Sequence, residues 1–142
     1  MAFNVLIVDD SSTMRAVIKK TIKVSGFNVG QFLEAGDGEE ALSVLKDEWV
    51  DLVLSDINMP NMNGLELIGR MHADEIMQSI PVVMVTTEAG DEKIKQSKEL
   101  GAVGYIKKPF QPQDIKKTLC RIMGEETVDE TGHDDEFEAG DF

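Results

Sequence analysis

Short apolar runs, each closed by a polar or charged residue, alternate along this chain with stretches whose apolar positions recur every three or four residues. Val5-Leu6-Ile7-Val8 is uninterrupted and mostly β-branched, the pattern of a strand buried on both faces. Ser11 or Ser12 then offers a helix cap, Met14, Val17, Ile18 and Ile22 follow at helical spacing, and Gly26 supplies a stop. A weaker strand is expected over Val29 to Leu33, a turn at Gly36-Asp37-Gly38, and a helix near Glu39 to Lys46. The run from Asp51 to Asp56 reads as another buried strand that ends in a carboxylate, and Met59 to Gly64 as a loop. Leu65, Ile68 and Met71 open a third helix. Pro81 to Thr87 forms a strand, Asp91 to Leu100 a charged helix, and Ala102 to Ile106 a strand. Gln113 to Met123 forms a helix with Ile115, Leu119, Ile122 and Met123 on one face.

Five strands alternating with five helices predict an α/β fold, a parallel sheet covered on both sides. Ligands of such sheets sit beyond the carboxyl ends of the strands, where the strand order reverses. The chain places Asp9-Asp10 after the first strand, Asp56 after the third, Thr86-Thr87 after the fourth and Lys107-Lys108-Pro109 after the fifth. Each is ordinary alone, since an Asp pair after a strand is commonly a helix cap and a Thr there reflects β-propensity. Four such ends on one edge of one sheet are a constellation.

Composition changes the picture in one respect. The 142 residues suit one domain, and 42% apolar content is enough for a core. The formal net charge of −13 argues against nucleic acid or anionic membrane as the main partner. That charge is concentrated after Arg121, where no Lys or Arg occurs and acidic residues run from Glu125 to Asp141. Residues 1–124 are expected to fold, and residues 125–142 to form an acidic, disordered tail. Cys120 is the only cysteine, which excludes an internal disulfide and suits a reducing cytosol; in a helical pattern it reads as packing. The N-terminus lacks the basic region of a signal peptide, and no apolar stretch approaches the roughly 18 residues of a membrane span. A cytoplasmic location follows as the expectation.

Three carboxylates at one rim repel one another and call for a hard divalent cation, with Mg²⁺ the natural choice because it shares its shell among carboxylates, backbone oxygen, water and phosphoryl oxygens. Lys108 adds a fixed cation and Thr86 a hydroxyl. A carboxylate nucleophile, a metal and a cation together describe formation of an aspartyl phosphate. Asp56, alone at the end of a central strand, is the expected nucleophile, and Asp9 with Asp10 the expected metal pair.

The segments Val8-Asp9-Asp10-Ser11, Ser55-Asp56-Ile57-Asn58-Met59-Pro60, Val85-Thr86-Thr87-Glu88 and Tyr105-Ile106-Lys107-Lys108-Pro109-Phe110 resemble the receiver domain of bacterial response regulators over residues 3 to 124. The resemblance implies a flavodoxin-like, doubly wound sheet of strand order 2-1-3-4-5. It implies Asp56 as phosphoacceptor, and Asp9, Asp10, Asp56 and the Asn58 carbonyl around Mg²⁺. It further implies Thr86 as the switch hydroxyl, Lys108 as the partner of the phosphoryl group, and Tyr105 as the aromatic that turns inward when Thr86 moves. Asn58 and Glu88 occupy positions that tune hydrolysis, and resemble the fast chemotaxis-type members. Thr87 departs from the family, which has a very small residue there, and is expected to slow attack on the phosphoryl group.

The family signals through its fourth helix, fifth strand and fifth helix. Here the fourth helix has Ile94 and Leu100 as expected anchors with Lys93, Lys95 and Lys98 between them, few enough to suit an element that shifts between two packings. No DNA-binding, kinase or cyclase segment follows the fifth helix, so output is expected through a bound partner. The resemblance implies a histidine kinase as phosphodonor, a monomer, a partner phosphatase, and a flagellar motor switch protein or other acidic target facing Lys93, Lys95, Lys98, Lys107, Lys116 and Lys117. It implies a phosphoacceptor, not an enzyme. Two alternatives stand beside this reading: a phosphorelay intermediate handing phosphoryl groups to a histidine phosphotransfer protein, and an Asp-nucleophile phosphatase. The second is weak because that class needs an Asp two residues after the nucleophile, where this chain has Asn58. The tail is expected to compete for the same lysines.

Overall fold

The computed structural model describes residues 2–87 and 91–124, the side chain of residue 91 apart. Along the chain run β1 (Phe3–Val8), α1 (Ser12–Ser25), β2 (Val29–Ala35), α2 (Gly38–Asp47), β3 (Leu52–Ser55), α3 (Gly64–His72), a 3-10 turn (Met77–Ser79), β4 (Val82–Thr86), α4 (Asp91–Leu100), β5 (Gly104–Lys107) and α5 (Pro112–Met123). The strands form one parallel sheet in the order β2-β1-β3-β4-β5. This is the doubly wound, flavodoxin-like sheet that the alternation and the resemblance imply.

Alternate side chains of each strand point to opposite faces, and each face carries its own core. Val5, Ile7, Leu52, Leu54, Val83, Val85 and Ile106 pack with Ile18 and Ile22 of α1 and Ile115, Leu119 and Cys120 of α5. Leu6, Val8, Val53 and Met84 pack on the other face with Ala41 and Leu45 of α2 and Leu67, Ile68 and Met71 of α3. Buried on both sides, the central strands read as unbroken apolar runs.

Helix ends follow the local chemistry. Ser11 caps α1 by accepting from the Met14 amide, and Gly26 ends it at φ 87°, a left-handed conformation that only glycine adopts cheaply. Asn63 and Glu66 form a reciprocal capping box at the start of α3.

The second strand runs two residues further than expected, to Ala35, and three other positions differ. Val17 is 45% exposed, because the buried face of α1 centres on Ile18 and Ile22 and a neighbouring residue is turned about 100° away. Leu100 is 38% exposed and does not anchor α4; Ser97 is fully buried instead, its hydroxyl donating to the Ile94 carbonyl at 2.7 Å. The fifth strand starts at Gly104, two residues later than expected, after the Val103 amide has bonded the Val82 carbonyl. The acidic tail and Glu88 lie outside the described residues.

The edge strand β2 is tied to α1 by Glu34, which accepts from Arg15 at 2.8 Å and Lys19 at 2.6 Å. The hydrogen bond from Lys19, then that from Arg15, holds its carboxyl below the usual glutamate range. A lowered folded-state pKa gives stability that is complete above the unfolded value and is lost as pH falls through the folded one. Because the pair faces solvent, Glu34→Gln is expected to cost only about 0.5 kcal/mol at neutral pH, measurable by urea denaturation at low salt and vanishing at acid pH.

Candidate phosphoacceptor and metal site

The strand order reverses between β1 and β3, where a doubly wound sheet opens a crevice. Val8 pairs with Ser55, so the next residues, Asp9 and Asp56, emerge side by side. The Asp9 amide bonds the Ala35 carbonyl at 3.1 Å and the Asp56 amide bonds the Val8 carbonyl at 3.0 Å, continuing the sheet for one step under the site. Thr86 pairs with Lys107, and the Lys108 amide donates to the Thr86 carbonyl at 2.9 Å, which aims the next side chain at the same edge.

Carboxylate oxygens of Asp9, Asp10 and Asp56 lie within 4.8 Å of one another, the Asp9 side chain buried, Asp56 half-buried and Asp10 exposed. The Lys108 ammonium stands 3.3 Å from Asp9 Oδ2 and 3.8 Å from Asp56 Oδ2. Asp9 Oδ1 accepts from the Ser11 amide at 2.9 Å, and the Asp9 carbonyl accepts from Arg15. Asp56 Oδ1 accepts from the Ile57 amide at 2.7 Å. Burial pushes the Asp56 carboxyl above its ordinary value; Asp9 adds to the rise, while Lys108 and the neighbouring amides oppose it.

A hard dication fits this donor set. The three carboxylates are anionic oxygen donors within 4.8 Å of one another, more negative charge than one lysine neutralises, and Asp10 is exposed to solvent.

Of the other residues singled out in the sequence, Thr86 is fully buried at the end of β4 and Tyr105 is half-buried against the core of α2 and α3. Asn58, two residues after Asp56, and Thr87, the residue after β4, are exposed. The sequence did not reveal Ser11 and Arg15 as supports of Asp9, although their positions in the first turn of α1 are the available signal. It also did not reveal the bond between Asp37 and Asn61, 24 residues apart, for which no local signal exists.

The described fold, the switch-point carboxylates and the lysine at the fifth strand define a class, and residues 5–120 match the family model of the response regulator receiver domain; the chain belongs to that family. It is 44% identical over 119 residues to chemotaxis protein CheY-3 of Vibrio cholerae, covering 84% of this chain and 90% of that protein. Among solved structures, CheY4 of Vibrio cholerae superposes with a TM-score of 0.76 at 35% identity, covering 86% of this chain and 99% of the other. CheY of Borrelia burgdorferi, in a complex with CheX, BeF3 and Mg²⁺, gives a TM-score of 0.75 at 29% identity over 85% and 89% of the two chains. The chain is a CheY-like receiver acting in phosphorelay signal transduction. Among the described residues no helix is long and apolar enough to cross a membrane.

Proposed function

We propose that this receiver takes a phosphoryl group from a histidine kinase onto Asp56, and that it serves chemotaxis by binding a flagellar motor switch protein or another acidic target. The observation that carries the site assignment is the cluster of Asp9, Asp10 and Asp56 oxygens within 4.8 Å, with Lys108 against two of the three residues. The similarity to CheY-3 and to the Borrelia CheY supports the chemotaxis assignment.

Asp9, Asp10 and Asp56, with the Asn58 carbonyl, would hold Mg²⁺. An ion held there would supply positive charge to offset that of the carboxylates and of the transferring phosphoryl group. An Asp56 carboxylate oxygen attacks phosphorus, the bond from phosphorus to the donor breaks, and the donor departs with that electron pair. Lys108 keeps Asp56 ionised against burial and supplies a fixed cation for the phosphoryl oxygens. Thr86 is the hydroxyl that moves toward the new phosphoryl group, and Tyr105 follows it inward; Thr87 and Glu88 set how fast water removes the group. The signal is read on α4, β5 and α5, where Lys95, Lys98, Lys107 and Lys117 are exposed. The receiver is residues 1–124, with the acidic tail apart.

Chelation gives a direct test of the metal's part. With acetyl phosphate and Mg²⁺ the chain is expected to gain a phosphoryl group, and with excess EDTA to gain none. Equal labelling in both would contradict the metal assignment.

A further inference from the structure

The loop that follows the phosphoacceptor, residues 56–63, is fastened at two places. Near Asp56 the Gly64 amide bonds the Ile57 carbonyl at 2.8 Å. Farther along, the loop is held by the start of α2. Gly38 donates its amide to the Met62 carbonyl at 3.0 Å, and the Met62 side chain fills the space beside Gly38, where a Cβ would lie 2.6 Å from Met62 Cγ. Buried Asp37 divides its two oxygens between the elements: Oδ1 accepts from the Glu40 amide at 2.9 Å and caps α2, and Oδ2 accepts from the Asn61 side-chain amide at 2.7 Å. Asn61 stands at φ 64°, the only non-glycine residue with positive φ among the described residues, a conformation that persists where the surroundings hold it. Asn58 lies between the two fastenings.

We infer that Asp37 is a positioning residue for the metal and phosphoacceptor site, acting through Asn61 to fix the course of the loop that leads from Asp56 through Asn58. The inference rests on the assignment of Asp56 and the Asn58 carbonyl as ligands. A helix cap needs one oxygen; the second oxygen of Asp37 serves the loop. A polar partner one step removed from metal ligands sets their orientation, and its loss is felt in metal affinity more than in the fold.

Asp37→Ser tests this because serine caps a helix as well as aspartate does but has no second oxygen for Asn61. Asn61→Gly breaks the same bond from the other side and tolerates the positive φ. Asp37→Asn retains the bond, since the Asn61 amide can turn and accept from the new one. Mg²⁺ binding by calorimetry, without any phosphodonor, is expected to weaken about tenfold in D37S and in N61G. The double variant is expected to weaken no further than either single one, because both remove one interaction, and D37N to bind as the wild type does. Phosphorylation by acetyl phosphate should need correspondingly more Mg²⁺ in D37S and N61G. Wild-type Mg²⁺ affinity in N61G and in folded D37S would overturn the positioning role and leave Asp37 a helix cap. A wild-type chain that binds Mg²⁺ but takes no phosphoryl group would instead overturn the phosphoacceptor assignment.

Discussion

Lys108→Ala is expected to destabilise the metal-free protein by about 2 kcal/mol and to slow phosphoryl uptake about 100-fold. The ammonium is the one cation within ion-pair distance of Asp9 and Asp56 among the described residues, and the Asp9 side chain is only 3% exposed. Removing it leaves carboxylates facing each other with only amide donors to offset their charge. The figure sits below that for a fully buried pair because Lys108 keeps 12% exposure and water reaches the rim. Mg²⁺ should restore most of the lost stability, since a dication bound to the folded state replaces the missing charge. The deficit should also shrink in acid. A carboxyl whose folded-state pKa is raised, as Asp56's is, weighs against folding increasingly as pH rises from the ordinary carboxylate range through the folded value, so lowering the pH relieves it. Urea denaturation with and without Mg²⁺, at neutral and acid pH, reads all three effects. An equal deficit under every condition would show that Lys108 matters only by packing.

Gly64→Ala is expected to cost about 3 kcal/mol, because the added carbon meets backbone that has no room to give. A Cβ at this position would lie 2.2 Å from the Asp56 carbonyl, 2.8 Å from Met84 Cε and 3.0 Å from Ile57 Cα. Two of those three neighbours are backbone and cannot swing aside. The requirement is for space, not for an unusual φ: α3 starts directly beneath the backbone of Asp56, and its first residue must be bare to allow the Gly64 amide to reach Ile57. Chemical denaturation measures the loss. Calorimetry should show weakened Mg²⁺ binding as well, because relief of the clash moves Asp56. A variant as stable as the wild type would contradict this account of the junction.

The sheet was legible because β1, β3 and β4 are buried on both faces and carry apolar runs that end abruptly in Asp9, Asp56 and Thr86. Their parallel order followed from the alternation with helices, and the site followed from the rule that such sheets bind at a switch point. Side-chain facing was less legible. Apolar identity marks Val17 and Leu100 as core, whereas a helix can leave a valine or leucine at the boundary and bury a serine that satisfies itself on its own preceding turn, as Ser97 does. Asp37 reads locally as part of a turn and proves to be the cap of α2; its second bond, to Asn61, exists only once α2 and the loop after β3 have been brought together by the sheet. Long-range polar pairs of this kind leave no period in the sequence. The same holds for Lys108 and Asp9, 99 residues apart, whose contact was legible only through the topology.

The central claim is that Asp56, among three carboxylates sharing one rim, is the residue that takes the phosphoryl group. Intact mass spectrometry after incubation with Mg²⁺ and acetyl phosphate, on the wild-type chain and on Asp56→Asn, tests it most directly. The account predicts one phosphoryl group on the wild type and none on the variant; an adduct of the same extent on Asp56→Asn would contradict it.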